Sequence, residues 1–175
     1  MLSHIVQDEQ QAIKARLEAF EDIISIDIGD TSLSRVKNLE RELDIRQLYI
    51  KNEGENPTGT HKDRIAFAQT QDALRRGYSI ISCATCGNYG VSIAYSASIA
   101  GIKCKIYIPE TYHTKRVVEM EQYDVEIIRV PGSYEDIVAY SSTLAVKNQW
   151  YDANPGGANT PLQISSYSVI ANEIY

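Results

Sequence analysis

Lys62 stands at the end of a run of turn residues, Asn56-Pro57-Thr58-Gly59-Thr60-His61, and is followed by Asp63-Arg64. A turn that leads straight into a helical stretch brings the free amides of the helix start and the lysine ammonium into one space, an arrangement that favours an anion. A nucleotide-binding P-loop needs its lysine directly after the second glycine and a Ser or Thr after that. Here Thr60 and His61 intervene after Gly59 and Asp63 follows, so the spacing fails. What remains is amine chemistry. A lysine at the mouth of a crevice, its pKa lowered by desolvation or nearby positive charge, can capture an aldehyde cofactor as an imine. The plain alternative is a solvated helix lysine. For any single lysine that is the commoner case, so the neighbours must decide.

A second stretch carries complementary chemistry: Cys83-Ala84-Thr85-Cys86-Gly87-Asn88-Tyr89-Gly90, ahead of a helix of small residues. Small side chains let a ligand approach the backbone, and amides at a helix start can bind a carboxylate. An asparagine side chain can both donate to and accept from a phenolic oxygen. Taken alone, Gly-Asn before a helix is a common turn and cap. Cys83 and Cys86 also form a CxxC between a strand and a helix, the place of a thioredoxin-like dithiol, which is a rival reading of another class. Against it, the lysine loop would be left unexplained. A zinc site would need a fourth ligand from the distant histidines. Simple packing of the thiols is the plainest reading.

The elements that position these loops follow from periodicity and punctuation. Ala12, Ile13, Leu17 and Phe20 recur at helical intervals, so an amphipathic helix over Gln7–Phe20 opens the chain and packs on the outside of a domain. Gly29–Leu33 reads as a turn and Leu48–Lys51 as a short strand. A helix over His61–Arg76, stopped by Gly77, places Lys62 in its first turn. There follow a strand at Ser79–Ser82, a helix over Asn88–Ala100 closed by Gly101, and a strand at Lys103–Ile108 stopped by Pro109. A helix over Thr114–Tyr123, a strand at Val125–Val130 and a helix over Ser133–Asn148 continue the alternation, Ser133 and Asp136 forming a capping pair. Ser165–Tyr175 is a final helix without a closing cap or tail, which suggests truncation. Strands separated by helices imply parallel βαβ units, and the class is α/β.

Asn52–Arg64 resembles the cofactor-lysine segment of threonine synthases, members of the tryptophan-synthase β-like group (fold type II) of pyridoxal-phosphate enzymes. That family usually has Ser-Phe before the lysine, whereas Thr60-His61 stand here. Thr85–Gly90 is similar to the family's serine-rich stretch ending in Gly-Asn-x-Gly, with Thr and Cys where Ser and Thr are usual. Gly29-Asp30-Thr31-Ser32-Leu33 resembles the family's Gly-x-Thr-Pro-Leu, and Asn154-Pro155 its Asn-Pro segment. The resemblance implies pyridoxal 5'-phosphate carried as an imine on Lys62, which then moves protons at the substrate's α and β carbons. By the same match Asn88 hydrogen-bonds the cofactor ring oxygen, and Thr85, Cys86 and Gly87, with Asn88, hold the substrate. It implies a two-lobed parallel-sheet fold, with 1–77 and 156–175 in a large lobe, 78–155 in a small mobile lobe, and the C-terminal half of the large lobe absent. Conversion of O-phosphohomoserine to threonine and phosphate is the expected reaction. An elimination or replacement at the β carbon (dehydratase, ammonia-lyase or sulfhydrylase) is the alternative. The family usually forms dimers. An arginine expected shortly after Asn-Pro to grip the substrate phosphate is replaced here by Gly156, Gly157 and Ala158.

Bulk properties agree with a small-molecule enzyme. With 175 residues, 43% hydrophobic and 23% charged, the chain can bury a core as one domain or two small lobes. A net charge of -6 repels phosphate backbones and anionic lipid, so nucleic acid and membrane are poor partners. The three cysteines make no disulfide framework, which points to a reducing, cytoplasmic setting. No metal is expected. The twelve tyrosines are scattered and read as core-edge residues, with Tyr89 alone inside a candidate loop. Lys51, Asp63 and Arg64 read as solvated surface charges, apart from a possible Asp63–Arg64 pair that orients the helix.

Overall fold

In the computed structural model, which describes residues 2–175, the chain opens with two helices, α1 (Leu2–Gln7) and α2 (Ile13–Asp27). The single helix expected over Gln7–Phe20 is interrupted at Asp8, whose carboxylate accepts from the Gln10 amide at 3.0 Å and from the Gln11 side chain at 3.2 Å. Short polar side chains compete with the helix ladder in this way. Nor is α2 confined to the outside. Phe20 is fully buried and stacks on Phe67 with ring centroids 5.7 Å apart.

The turn expected at Gly29–Leu33 runs into β1 (Leu33–Arg35), which pairs antiparallel with β2 (Tyr49–Lys51) around α3 (Lys37–Leu43). Three-residue strands give no period to read, so this pair had no sequence signal beyond the β-rich run at its second member. Next come α4 (Lys62–Arg75), β3 (Ile80–Ala84) and α5 (Asn88–Ala100), then β4 (Lys103–Pro109), α6 (Arg116–Met120) and β5 (Val125–Val130). α7 (Tyr134–Asn148), β6 (Tyr151–Asp152) and α8 (Thr160–Ile174) complete the chain. The α/β alternation is therefore present as expected. All four strands β3 to β6 are parallel, in the order β5-β4-β3-β6.

Several boundaries are set by chemistry one turn away. Gly77 and Gly101 take φ of +76° and +68°, the left-handed region that ends α4 and α5 without a Cβ penalty. Ser133 and Asp136 form the reciprocal capping box on α7. α6 is shorter than the expected Thr114–Tyr123, since the Thr114 hydroxyl accepts from the Arg116 amide and holds the preceding residues in a turn. α8 begins five residues before the expected Ser165 because Pro161 occupies its first turn, where a missing N–H costs nothing.

The sheet is covered on one side by α4 and α5, and on the other by α7 through Ile137 against Ala84 and Tyr107. α5 approaches α4 closely because its facing side chains are small. Thr70 and Ser96 share a buried hydrogen bond of 2.7 Å, and Thr58, in the turn ahead of α4, meets Ser92 at 3.0 Å. At Gly90 a Cβ would meet the Met120 side chain at 2.5 Å and Thr85 Cγ2 at 2.9 Å, so the start of α5 is seated hard against α6 and the β3 loop. Among the described residues, no helix is long and apolar enough to cross a membrane.

Candidate functional site

The turn ahead of Lys62 is held from inside. Asp63, with no exposed surface, accepts from the Thr58 amide at 2.8 Å and the Thr58 hydroxyl at 2.6 Å. Thr60 Oγ1 accepts from the Lys62 amide at 2.9 Å. Asn56 accepts from the Gly29 amide at 2.9 Å and donates to the Glu53 carbonyl at 2.9 Å, which ties the first turn of the sequence to the lysine loop. Gly59 lets the loop reverse with φ of +77°.

The charges around this loop are not solvated. Arg64 is 6% exposed and donates to both carboxylate oxygens of Glu53, at 2.8 Å each, and of Glu173, at 2.6 and 2.8 Å. Lys51 pairs with Glu173 at 2.6 Å and donates to the Thr31 carbonyl. The reading of Lys51, Asp63 and Arg64 as surface charges is therefore corrected, because Glu173 of α8 folds back onto Lys51 and Arg64, while Asp63 is buried against the Thr58 turn. The expected Asp63–Arg64 pair gives way to these partners. Adjacent residues of a helix do not face each other. The Arg64 hydrogen bonds, with help from Lys51 and against desolvation, hold the Glu173 carboxyl at about 2. Glu53 is lowered first by Arg64, and the Arg64 guanidinium is raised first by Glu53.

With its loop fixed, Lys62 projects into a cavity of about 490 Å³ whose wall also includes Thr85, Gly87, Asn88 and Tyr89. Ile65, Tyr134, Pro155, Gln163 and Tyr167 complete the lining. The Lys62 Nζ donates to the Tyr167 hydroxyl at 3.3 Å and lies 5.4 Å from that ring's centroid. Desolvation raises the Tyr167 phenol to about 12, so it meets the amine as a neutral partner. Thr85 is fixed by its amide, which donates to the Tyr107 carbonyl at 3.1 Å. Gly87 is the N-cap of α5 and supplies no side-chain cap, and a Cβ placed on it would meet nothing within 4 Å. Amides at an uncapped helix start beside open space are a ready anion cradle. Asn88 is exposed on the same wall, its own carbonyl accepting from the Ser92 hydroxyl at 3.1 Å.

Of the five residues singled out in the sequence, the structure brings Lys62, Thr85, Gly87 and Asn88 to one cavity. Cys86 is not on its wall. Its thiol is half-buried. Tyr134, Gln163 and Tyr167 had no sequence signal: they sit on helices whose local pattern says nothing about which loop they will face. A second cavity of about 560 Å³, beside Tyr78, Trp150 and Gly156, holds none of the five.

The dithiol reading loses its chemistry here. Cys83 is fully buried, and desolvation pushes its thiol well up. Cys104, buried on the neighbouring strand, is raised for the same reason. A buried thiol of raised pKa is a poor nucleophile. Accordingly, a thiol-alkylating reagent should label Cys86 in the folded protein and all three cysteines only after unfolding, as read by mass spectrometry of the intact chain. Rapid labelling of native Cys83 would restore the redox reading. Among the described residues, no group of three or more His, Cys, Asp or Glu is placed to hold a metal ion.

The family profile described as pyridoxal-phosphate dependent enzyme matches residues 24–175. A threonine synthase of Methanocaldococcus jannaschii is 34% identical over 153 residues, covering 87% of this chain and 37% of that protein. A probable cysteine synthase of Bacillus subtilis is 35% identical over 109 residues, 60% of this chain and 35% of that one. Among solved structures, an O-ureido-L-serine synthase superposes with a TM-score of 0.73 at 28% identity, over 84% of this chain and 48% of that chain. The chain thus spans less than half the length of each of these relatives.

Proposed function

Because this chain belongs to the pyridoxal-phosphate dependent enzyme family, we propose that it furnishes the lysine loop and the substrate-carboxylate loop of a threonine-synthase-like enzyme. The proposed reaction converts O-phosphohomoserine and water to threonine and phosphate. The observation that carries this reading is the meeting of the Lys62 Nζ with Thr85, Gly87 and Asn88 around one cavity.

The donor set fits pyridoxal 5'-phosphate. There is one amine, an asparagine that can pair with a phenolic oxygen, and open space over Gly87, where even an added Cβ would meet no protein atom within 4 Å. Lys62 would hold the cofactor through its amine and Asn88 would hydrogen-bond the ring oxygen. When bound, the cofactor supplies an electron sink for the charge left on the substrate α carbon. The free amides at the start of α5, with the Thr85 hydroxyl, orient the substrate's carboxylate. The Lys62 Nζ then holds or delivers the proton at the α carbon, and the Tyr167 hydroxyl keeps that nitrogen aimed into the cavity. Residues 1–77 with 156–175, and 78–155, are proposed as parts of a large and a small lobe. Closure of the second brings the Thr85–Asn88 loop onto the substrate and excludes bulk water. A dimer is the proposed assembly.

One observation favours a second reading, elimination or replacement at the β carbon of serine, threonine or O-acetylserine. A phosphate leaving group calls for an arginine fork, yet Gly156, Gly157 and Ala158 follow Asn154-Pro155, and Lys62 is the one cation on the described cavity wall. The cysteine synthase relative agrees with this alternative.

The test is a substrate panel on the full-length, cofactor-loaded protein. Release of phosphate with formation of threonine from O-phosphohomoserine is the expected result. A keto acid from serine or threonine, or sulfide-dependent cysteine from O-acetylserine, moves the assignment to the second reading. No turnover together with no visible cofactor band removes both.

A further inference from the structure

Tyr89, the second residue of α5, lies on the cavity wall, but its hydroxyl is buried and belongs to a different set of contacts. It faces the Ala153 carbonyl at 2.7 Å and the side-chain amide of Gln69 on α4. A phenol has one proton to give, and burial pushes this one's pKa well up, so the proton is present. Both neighbours therefore cannot be acceptors. The Ala153 carbonyl is fixed by the backbone, whereas the Gln69 amide can turn. With Nε2 directed at the phenolic oxygen, Tyr89 donates once and accepts once, and the Gln69 Nε2, otherwise buried without a partner, gains one. The carbonyl oxygen left in its place is the less costly atom to leave unpaired.

Three segments of the cavity wall meet on this one oxygen. α4 begins at Lys62 and carries Gln69 two turns later. α5 begins at Asn88, and Ala153 leads from β6 to Pro155. Of the other contacts of α5 with α4 and the turn ahead of it, Thr70 with Ser96 joins hydroxyls of which either can donate, and the bond from the Ser96 hydroxyl to the Ala66 carbonyl is long at 3.4 Å. The Thr58 and Ser92 hydroxyls also face Asp63 and the Asn88 carbonyl, so each of these contacts can give way to a small slide of one helix along the other. The Tyr89 bonds have assigned directions and cannot. We propose that Tyr89 is a positioning residue whose phenol fixes the separation of Lys62 and Asn88, so that a ligand meets the amine and the amide together. The proposal rests on the reading of those two residues as cofactor contacts.

Tyr89→Phe in the full-length protein tests it with two readouts. In the cofactor-free protein, hydrogen exchange should quicken by about tenfold at the Gly90 amide, which bonds the Gly87 carbonyl, and at the Thr85 amide. Amides of the central strands at Ile81 and Ile106 should change much less. In the loaded protein, the dissociation constant for pyridoxal 5'-phosphate, titrated by visible absorbance, should rise by a similar factor. Gln69→Leu, which removes only the α4 arm, should give a smaller change in the same places. Unchanged exchange, or a rise shared equally by the central strands, overturns the positioning role, the latter by showing only a loss of global stability. If the wild-type protein gives no visible band with the cofactor, it is the functional reading that fails. The exchange comparison still decides whether Tyr89 fixes the helix start.

Discussion

Lys62→Ala is expected to remove the visible absorbance that pyridoxal 5'-phosphate gives with the wild-type protein, and to cut turnover by at least ~10²–10⁴-fold, the range for loss of a positioned acid–base group. Covalent attachment is the more direct readout. Borohydride treatment of the loaded wild type should leave the label on a peptide containing Lys62 and on no other. The substitution should cost little stability, because the side chain is half-buried and its hydrogen bond runs to Tyr167 at 3.3 Å. Unfolding curves of wild type and variant should therefore nearly coincide, and a lost cofactor signal cannot then be blamed on a lost fold. A label on another lysine, or a visible band retained by Lys62→Ala, would falsify the assignment.

Arg64→Met is expected to have the largest effect on stability, about 3–5 kcal/mol in urea unfolding. The guanidinium is 4% exposed at the side chain and is shared between Glu53 and Glu173, so its removal strands two carboxylates in a mostly buried site. Lys51 relieves only Glu173. The same pairing makes stability pH-dependent. A carboxyl held at about 2 in the folded protein, against an ordinary value of 4.5, contributes roughly 3 kcal/mol above the ordinary value. Because the folded pKa is depressed, that contribution is present above about pH 4.5 and is lost as the pH falls towards about 2. Glu53, also lowered, adds in the same direction. Wild type should therefore lose stability across this window, and Arg64→Met should lose much less, since its carboxyls titrate nearer their ordinary values. Combining Arg64→Met with Glu173→Gln should cost less than the sum of the two, as expected for groups in one network. Parallel pH profiles for wild type and Arg64→Met would show that the pairing does not govern acid stability.

Local chemistry explains which parts of the molecule could be read in advance. The bounds of α5, the strand Val125–Val130, the stop at Gly77 and the capping box at Ser133 are each decided by residues within a turn or two of chain. The Lys62 and Gly87-Asn88 loops were legible for the same reason. A turn that delivers a side chain to a helix start is written in consecutive residues. What the sequence determined by itself is therefore the α/β alternation and the identity of the amine and amide that meet across the cavity.

The surroundings of those groups were decided only by the tertiary structure. Tyr167 reaches Lys62 across 105 residues, and Glu173 reaches Arg64 across 109. No periodicity in α8 marks which of its side chains will turn towards α4. Lys51 and Arg64 have the composition of a solvated surface and became interior when that helix closed over them, and Asp63 did so against the Thr58 turn. Cys86, matched by motif to the substrate loop, is not on that cavity's wall. A side chain's chemistry is fixed by its type, but its protonation, its partners and the direction it faces depend on what the fold brings within a few ångströms. That proximity is a property of the packed chain, and no local stretch of sequence encodes it.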